Sequence, residues 1–213
     1  MENRTVIIAG ASGLVGREIL QGLLADPTVA AVHSLGRRAP AIQHAKLTAH
    51  ITDFGTLPAL PHADEVYLAL GTTIKVAGSQ AAFRAVDYDA NLAVAKTALA
   101  AGAKRVGLVS AMGADAHSRV FYSRVKGELE NALAQLPFDA TVIARPSLLA
   151  GDRAALGQPA RRGEELGYAL SQALGFLIPR NYQPIKASAV ARALLTAVPT
   201  AQGRTVLLSG AMQ

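Results

Sequence analysis

Tyr122 and Lys126 stand four residues apart in the string FYSRVKGE. On a helix the two share a face. An ammonium beside a phenol favours the phenolate, giving a group that can donate and accept a proton near neutrality. The same spacing is common on ordinary helix surfaces, so it gains meaning only from what surrounds it. A second constellation lies in TVIIAGASGLVGREIL, where Gly10, Gly13 and Gly16 follow an apolar run at intervals of three. In a strand–turn–helix unit Gly10 can make the tight turn, Gly13 can let a pyrophosphate approach, and Gly16 can let helix and strand pack closely. The helix N-terminus then supplies free N–H donors and positive dipole. The spacing GxxGxxG is one residue wider at its first gap than the GxGxxG fingerprint, and glycine also marks plain turns. Its place, after the first strand and opening the first helix, selects the dinucleotide reading.

The second strand indicates which dinucleotide. A ribose with a free 2′-hydroxyl calls for a carboxylate at that strand's end. The chain has SLGRR there, with Arg37 and Arg38 and no acid nearby. Guanidinium groups suit a 2′-phosphate through charge-assisted hydrogen bonds. NADP(H) is therefore expected over NAD(H), with Arg37 the firmer ligand. Asp53, ending the third strand before Phe54, could accept from an adenine amino group or simply end its strand as a turn residue.

These residues need elements to hold them. Apolar strands are expected at 5–9, 29–36, 46–53, 65–71, 104–110 and 140–145, with a last strand at 205–209. Helical periodicity starts at Leu14 and stops at the ADP of 25–27. A long helix is expected from Ser79, a candidate N-cap, to Ala101, with Gly102 as its stop. Further helices are expected across FYSRVKGELENALAQL and over 188–198, the latter ended by Pro199. Apolar strands alternating with helices indicate an α/β, Rossmann-like, doubly wound parallel sheet. The expected strand order is 3-2-1-4-5-6, with a seventh strand possible. Residues 151–183 mix Gly, Pro and Arg around one short helical stretch. They read as a small substrate-side insertion within a single domain spanning residues 1–213, being too short for a core of their own.

Composition bounds the rest. The chain has 213 residues, no cysteine and a formal net charge of +6. Disulfides, thiolate metal sites and cysteine nucleophiles are excluded. The basic residues are scattered without interleaved aromatics, so a solvated surface is expected and nucleic acid is not. The arginines at 153, 161, 162 and 180 leave room for an anionic substrate, but solvated loop charge explains them as well. The five histidines show no HxxxH spacing, and no metal is expected. With neither an apolar leader after MENR nor a membrane-length apolar run, a cytoplasmic protein without membrane association is expected. The oligomeric state is left open, a homodimer included.

The combination of GxxGxxG, arginine after the second strand, LGTT, a strand ending in Ser110, and YxxxK resembles the short-chain dehydrogenase/reductase superfamily. LGTTIKVAGSQAAFRAVDYD, VSAMGADAHSRVFYSRVKGELE and RPSLLAGDR are similar to its atypical members, the group of Tat-interacting oxidoreductase-like proteins. The resemblance implies a nicotinamide cofactor and a catalytic set of Ser110, Tyr122 and Lys126, with Lys126 also on the nicotinamide ribose. It implies pyrophosphate contacts from Gly10, Gly13 and Gly16, joined by Ser12 and Leu14, and a 2′-phosphate on Arg37. It also implies that Gly71 and Thr72 pass beside the adenosine ribose and phosphates, and that Arg145, Pro146 and Ser147 approach the nicotinamide. Two departures stand out. Many relatives have a second serine where this chain has Ala111, and Asp87 takes a position where many carry asparagine, with Asn91 one turn on.

The function expected from these residues is NADP(H)-dependent oxidation or reduction of a small carbonyl or alcohol, with Tyr122 and Lys126 transferring the proton. Two alternatives remain: an NADPH-binding sensor or interaction protein without turnover, and an epimerase-like enzyme with tightly held cofactor.

Overall fold

A computed structural model describes residues 3–150 and 179–213. Its centre is a seven-stranded parallel sheet. In chain order the strands are β1 (Arg4–Ala9), β2 (Val29–Gly36), β3 (Leu47–Ile51), β4 (Glu65–Leu68), β5 (Arg105–Val109), β6 (Ala140–Arg145) and, after two short strands, β9 (Gly203–Leu208). The spatial order is β3-β2-β1-β4-β5-β6-β9, every pair parallel. This is the expected doubly wound sheet with its seventh strand. A separate two-stranded ladder joins β7 (Leu149–Ala150) to β8 (Ile185–Lys186). The expected insertion at 151–183 lies largely outside the described residues.

Period-two alternation divides β1 between two cores. Val6 and Ile8 face α1 (Leu14–Ala25) and α6 (Ala187–Ala197), meeting Ile19, Leu23, Val190 and Leu194. Ile7 and Ala9 face the other way, toward Val94 and Ala98 of α4 (Asn91–Ala100) and Leu129 and Leu133 of α5 (Phe121–Ala134). Each fully buried Val, Leu or Ile among them contributes about 1.5–3 kcal/mol relative to exposure. Arg4 anchors the amino edge of the sheet, its guanidinium reaching both Glu65 oxygens at 2.8 Å and Asp26 at 2.6 Å. The opposite, carboxyl edge is where ligands bind in open sheets of this kind.

The segment expected as one helix from Ser79 to Ala101 is more structured than that. Thr73 caps a short preceding helix, α2 (Ile74–Ala77), which the sequence reading missed. Ser79 caps α3 (Gln80–Arg84) by accepting from the Ala82 N–H. Residues Ala85–Ala90 then widen into a π-helix before α4, and Gly102, at φ +102°, ends the run. Asn91 has a physical part in the widening. Its buried side-chain amide donates to the carbonyls of Leu70, Val86 and Asp87, so loosened helix carbonyls keep partners. Single-turn π segments of this type are frequent at functional sites.

Candidate functional site

The three glycines do different jobs at the β1–α1 turn. Gly10 has φ +89°, and a Cβ there would collide with the carbonyl oxygen of Ala69. A Cβ on Gly16 would collide with the carbonyl oxygen of Gly10. Both are fixed by packing. Gly13 is not: its added Cβ would meet only the Gly10 and Ala69 carbonyl oxygens, at an ordinary 3.4 and 3.9 Å. Gly13 is also the N-cap of α1, and no side chain caps that terminus and no acid occupies its first turn. The first amides of α1 therefore have neither a side-chain cap nor an acidic neighbour in the first turn, an arrangement that suits an anion. Ser12, exposed, and Leu14, half-buried, flank this turn.

Arg37 and Asp53 line one open cavity of about 620 Å³, with Ile51, Thr52, Thr56, Leu57 and Pro58. Arg37 is exposed and has no ion pair among the described residues; Arg38, also exposed, does not line the cavity. Asp53 accepts from the Gly55 N–H at 2.9 Å, which makes it a turn residue as well as a cavity wall. The neighbouring Phe54 holds φ +69°.

The third group gathers around Lys126. Its ammonium lies 2.8 Å from Asp87 Oδ1, and both side chains are almost wholly buried. Burial pulls the lysine pKa down, but Asp87, Tyr122 and Glu130 more than compensate, and the net direction is up. Asp87 Oδ2 accepts from the Thr72 N–H at 2.8 Å, so one carboxylate ties Lys126 to the Gly71–Thr72 loop. A Cβ on Gly71 would stand 3.9 Å from Lys126 Nζ. Tyr122, one turn before the lysine, packs its ring against buried Phe83 at 5.6 Å between centroids, yet stays 37% exposed. The phenol is thus held in place and still reachable from outside.

Ser110 goes elsewhere. Its buried hydroxyl donates to Glu130 Oε1 at 2.6 Å. Glu130 is itself buried and gripped by Arg145, through Nε at 3.0 Å and Nη2 at 2.6 Å, and by Arg204 at 3.3 Å. The Ser110 proton and the Arg145 guanidinium are therefore committed to a structural carboxylate. The backbone beyond β6 is fixed too: Pro146 accepts from the Met112 N–H at 2.8 Å. Ser147 bonds the Gln183 carbonyl and, at 2.9 Å, Ser209 Oγ. Sequence reading missed Glu130, although Tyr122, Lys126 and Glu130 recur every four residues and form one stripe on α5.

Among the described residues no group of three metal-ligating side chains comes together. His33 and His50 meet across β2 and β3 at 3.1 Å, sharing one hydrogen bond. No helix of the described residues is long and apolar enough to cross a membrane.

Comparison with known proteins agrees with this geometry. A family model described as NAD(P)H-binding matches residues 10–172. The mitochondrial protein fmp52 of Emericella nidulans is 38% identical over 180 residues, spanning 80% of this chain and 76% of that protein. A short-chain dehydrogenase family protein of Francisella tularensis superposes with a TM-score of 0.69 at 11% identity, covering 98% of both chains. A UDP-N-acetylglucosamine 4-epimerase of Methanobrevibacter ruminantium superposes with a TM-score of 0.70 at 15% identity, covering 98% of this chain and 77% of that one. At such identities the superpositions speak for the fold alone.

The fmp52 relatives correct one expectation. They are named mitochondrial, which overturns the cytoplasmic placement read from the sequence. The reason is that the lack of an apolar leader and of an apolar span does not by itself assign a compartment. The glycine turn, the parallel sheet order and the family match converge: this chain belongs to the NAD(P)H-binding family whose model spans residues 10–172.

Proposed function

We propose that the protein is an NADP(H)-dependent oxidoreductase acting on a small carbonyl or alcohol, with Tyr122 handling the proton. The observation that carries this reading is the face of α5 on which Lys126, buried against Asp87 and beside the Gly71–Thr72 loop, stands one turn below an accessible tyrosine. The amides opening α1 and the bare Gly13 would hold the pyrophosphate, and Arg37 the 2′-phosphate. Gly71, Thr72 and Lys126 would lie along the riboses. When bound, the nicotinamide supplies hydride to a carbonyl carbon. Tyr122 Oη then gives its proton to the developing alkoxide, its O–H bond breaking as the substrate's forms, and solvent restores the phenol. Lys126 keeps its charge throughout, because Asp87 stabilises the ammonium.

Arg37→Ala is expected to lower NADPH affinity at least tenfold and leave NADH affinity within about twofold, since the guanidinium meets only the 2′-phosphate. Fluorescence titration of native and variant protein with both cofactors checks this. Equal native affinities for NADPH and NADH would refute the NADP(H) assignment.

A second reading rests on Ser110. With its hydroxyl held by Glu130 and alanine at 111, no serine at the end of β5 is free to polarise a carbonyl. On that observation the protein would bind NADPH as a sensor without turnover. Following NADPH absorbance with a panel of aldehydes, ketones and quinones separates the two: catalytic oxidation supports the enzyme, and firm binding without oxidation supports the sensor.

A further inference from the structure

We propose that His33 and His50 form a chelating site for a divalent transition ion of the zinc–copper class, which clips the edge strand β3 to β2. The proposal stands apart from the oxidoreductase reading and uses neither the cofactor nor Tyr122. Nδ1 of His33 lies 3.1 Å from Nε2 of His50. Imidazole nitrogens bind zinc at about 2.0–2.1 Å. With such bonds, two nitrogens 3.1 Å apart subtend about 95–100° at the metal. That angle lies between the right angle of a tetragonal site and the ~109° of a tetrahedral one, so both nitrogens can reach one ion.

The register of the sheet makes the pair. β2 and β3 run parallel, with His33 opposite Thr48 and Leu35 opposite His50. Side chains alternate along a strand, so these four residues share one face of the sheet. The two imidazoles come from diagonal positions on neighbouring strands, their ring centroids 5.3 Å apart and their planes tilted by 44°. Strand pairing fixes both backbones before any ion arrives. Both rings are half-buried, packed enough to hold their place and open enough to admit an ion. The helical HxxxH spacing is absent because the ligands lie 17 residues apart and meet through the sheet.

A neutral imidazole carries one proton on one of its two nitrogens. The hydrogen bond between the facing nitrogens therefore needs one of them protonated and the other bare. A metal ion takes the place of that bridging proton. The donor ring moves its proton to its outer nitrogen through solvent, both facing lone pairs turn to the ion, and no proton is lost overall. Burial and the nearby His50 ring lower the His33 pKa, which keeps that ring in the neutral form that metals require. Among the described residues no further His, Asp or Glu completes a three-ligand group, so water fills the remaining positions. Imidazole donors select zinc, nickel or copper over magnesium and calcium, which take oxygen ligands.

The position of β3 gives the ion a consequence. β3 is an edge of the sheet and pairs only with β2. Ile51, next after His50, and Arg37, four after His33, line the same cavity. An ion on the two imidazoles ties together the strands that carry these walls.

The untagged protein is titrated calorimetrically with Zn²⁺ at neutral pH in a non-chelating buffer. One ion per chain is expected. His33→Ala and His50→Ala should each weaken binding by about tenfold or more, since loss of a ligand's hydrogen-bonded support alone costs that much. The triple variant His44→Ala/His62→Ala/His117→Ala, which removes the chain's other histidines, is expected to bind as the native protein does. Zinc at about a hundredfold excess over its dissociation constant should raise the native melting temperature by about 5 °C or more, and each single variant by about half as much or less. Copper(II) supplies a readout on the native protein that needs no variant: its electron paramagnetic resonance spectrum is expected to show two imidazole nitrogens. Zinc binding that survives both single substitutions, binding lost in the triple variant, a copper spectrum with fewer than two nitrogens, or no saturable zinc binding would each overturn the proposal.

Discussion

Gly13→Val is expected to abolish measurable NADPH binding while the protein stays folded. The three glycines of the turn look equivalent in sequence and are not. Gly10 and Gly16 are enclosed by backbone, so adding even a methyl group there should disrupt the turn itself. At Gly13 an added Cβ would meet only the Gly10 and Ala69 carbonyl oxygens, at 3.4 and 3.9 Å, both ordinary contacts. Valine there keeps the protein's own contacts and occupies the place of the pyrophosphate at the N-terminus of α1. Circular dichroism establishes the fold, and calorimetric titration with NADPH reads the binding. Normal affinity in a folded Gly13→Val protein would make the glycine turn purely structural.

Lys126→Met should produce the second large effect, and it is double. Removing one member of a buried pair leaves Asp87 uncompensated, at a cost of about 3–5 kcal/mol. The same change should weaken NADPH binding and slow turnover, because the ammonium is expected on the nicotinamide ribose as well as beside the phenol. The stability part has a pH signature. The lysine pKa is raised above its ordinary 10.5, against the opposing influence of burial and through Asp87, Tyr122 and Glu130. A raised value means that the pair's contribution is fully present below pH 10.5 and is lost as pH climbs through the folded value. Native and Lys126→Met melting temperatures should therefore differ most at neutral pH and converge in strong alkali. A constant gap across that range would show that the lysine stabilises by packing alone.

The sheet was legible because its signals are local. Apolar runs bounded by turn residues place β2 and β6 at their observed limits, and Ser79 and Gly102 mark the ends of the long helical run. The π widening at 85–90 was not legible, since the Asn91 amide that accompanies it also bonds the Leu70 carbonyl, which only the fold brings near. The same divide separates the site residues. The Tyr122–Lys126 register follows from helical periodicity, and Gly13 from its place before α1. The engagement of Ser110 and Arg145 with Glu130 joins β5, β6 and α5, a meeting that no spacing encodes. Ala111 hinted that Ser110 is turned away, but not toward what. Asp87 was visible as a departure from the resembled pattern; its partner Lys126, thirty-nine positions later, came only with the structure.

The central claim is that the protein moves a proton through Tyr122 while its cofactor is oxidised, and Tyr122→Phe tests it most directly. The phenyl ring keeps the packing against Phe83 and removes only the hydroxyl. With a carbonyl substrate drawn from the panel, NADPH oxidation is followed for native and variant protein, alongside NADPH affinity. The account predicts affinity within about twofold of native and turnover lower by about 10²-fold or more. Turnover at the native rate in the folded, NADPH-binding variant would contradict it.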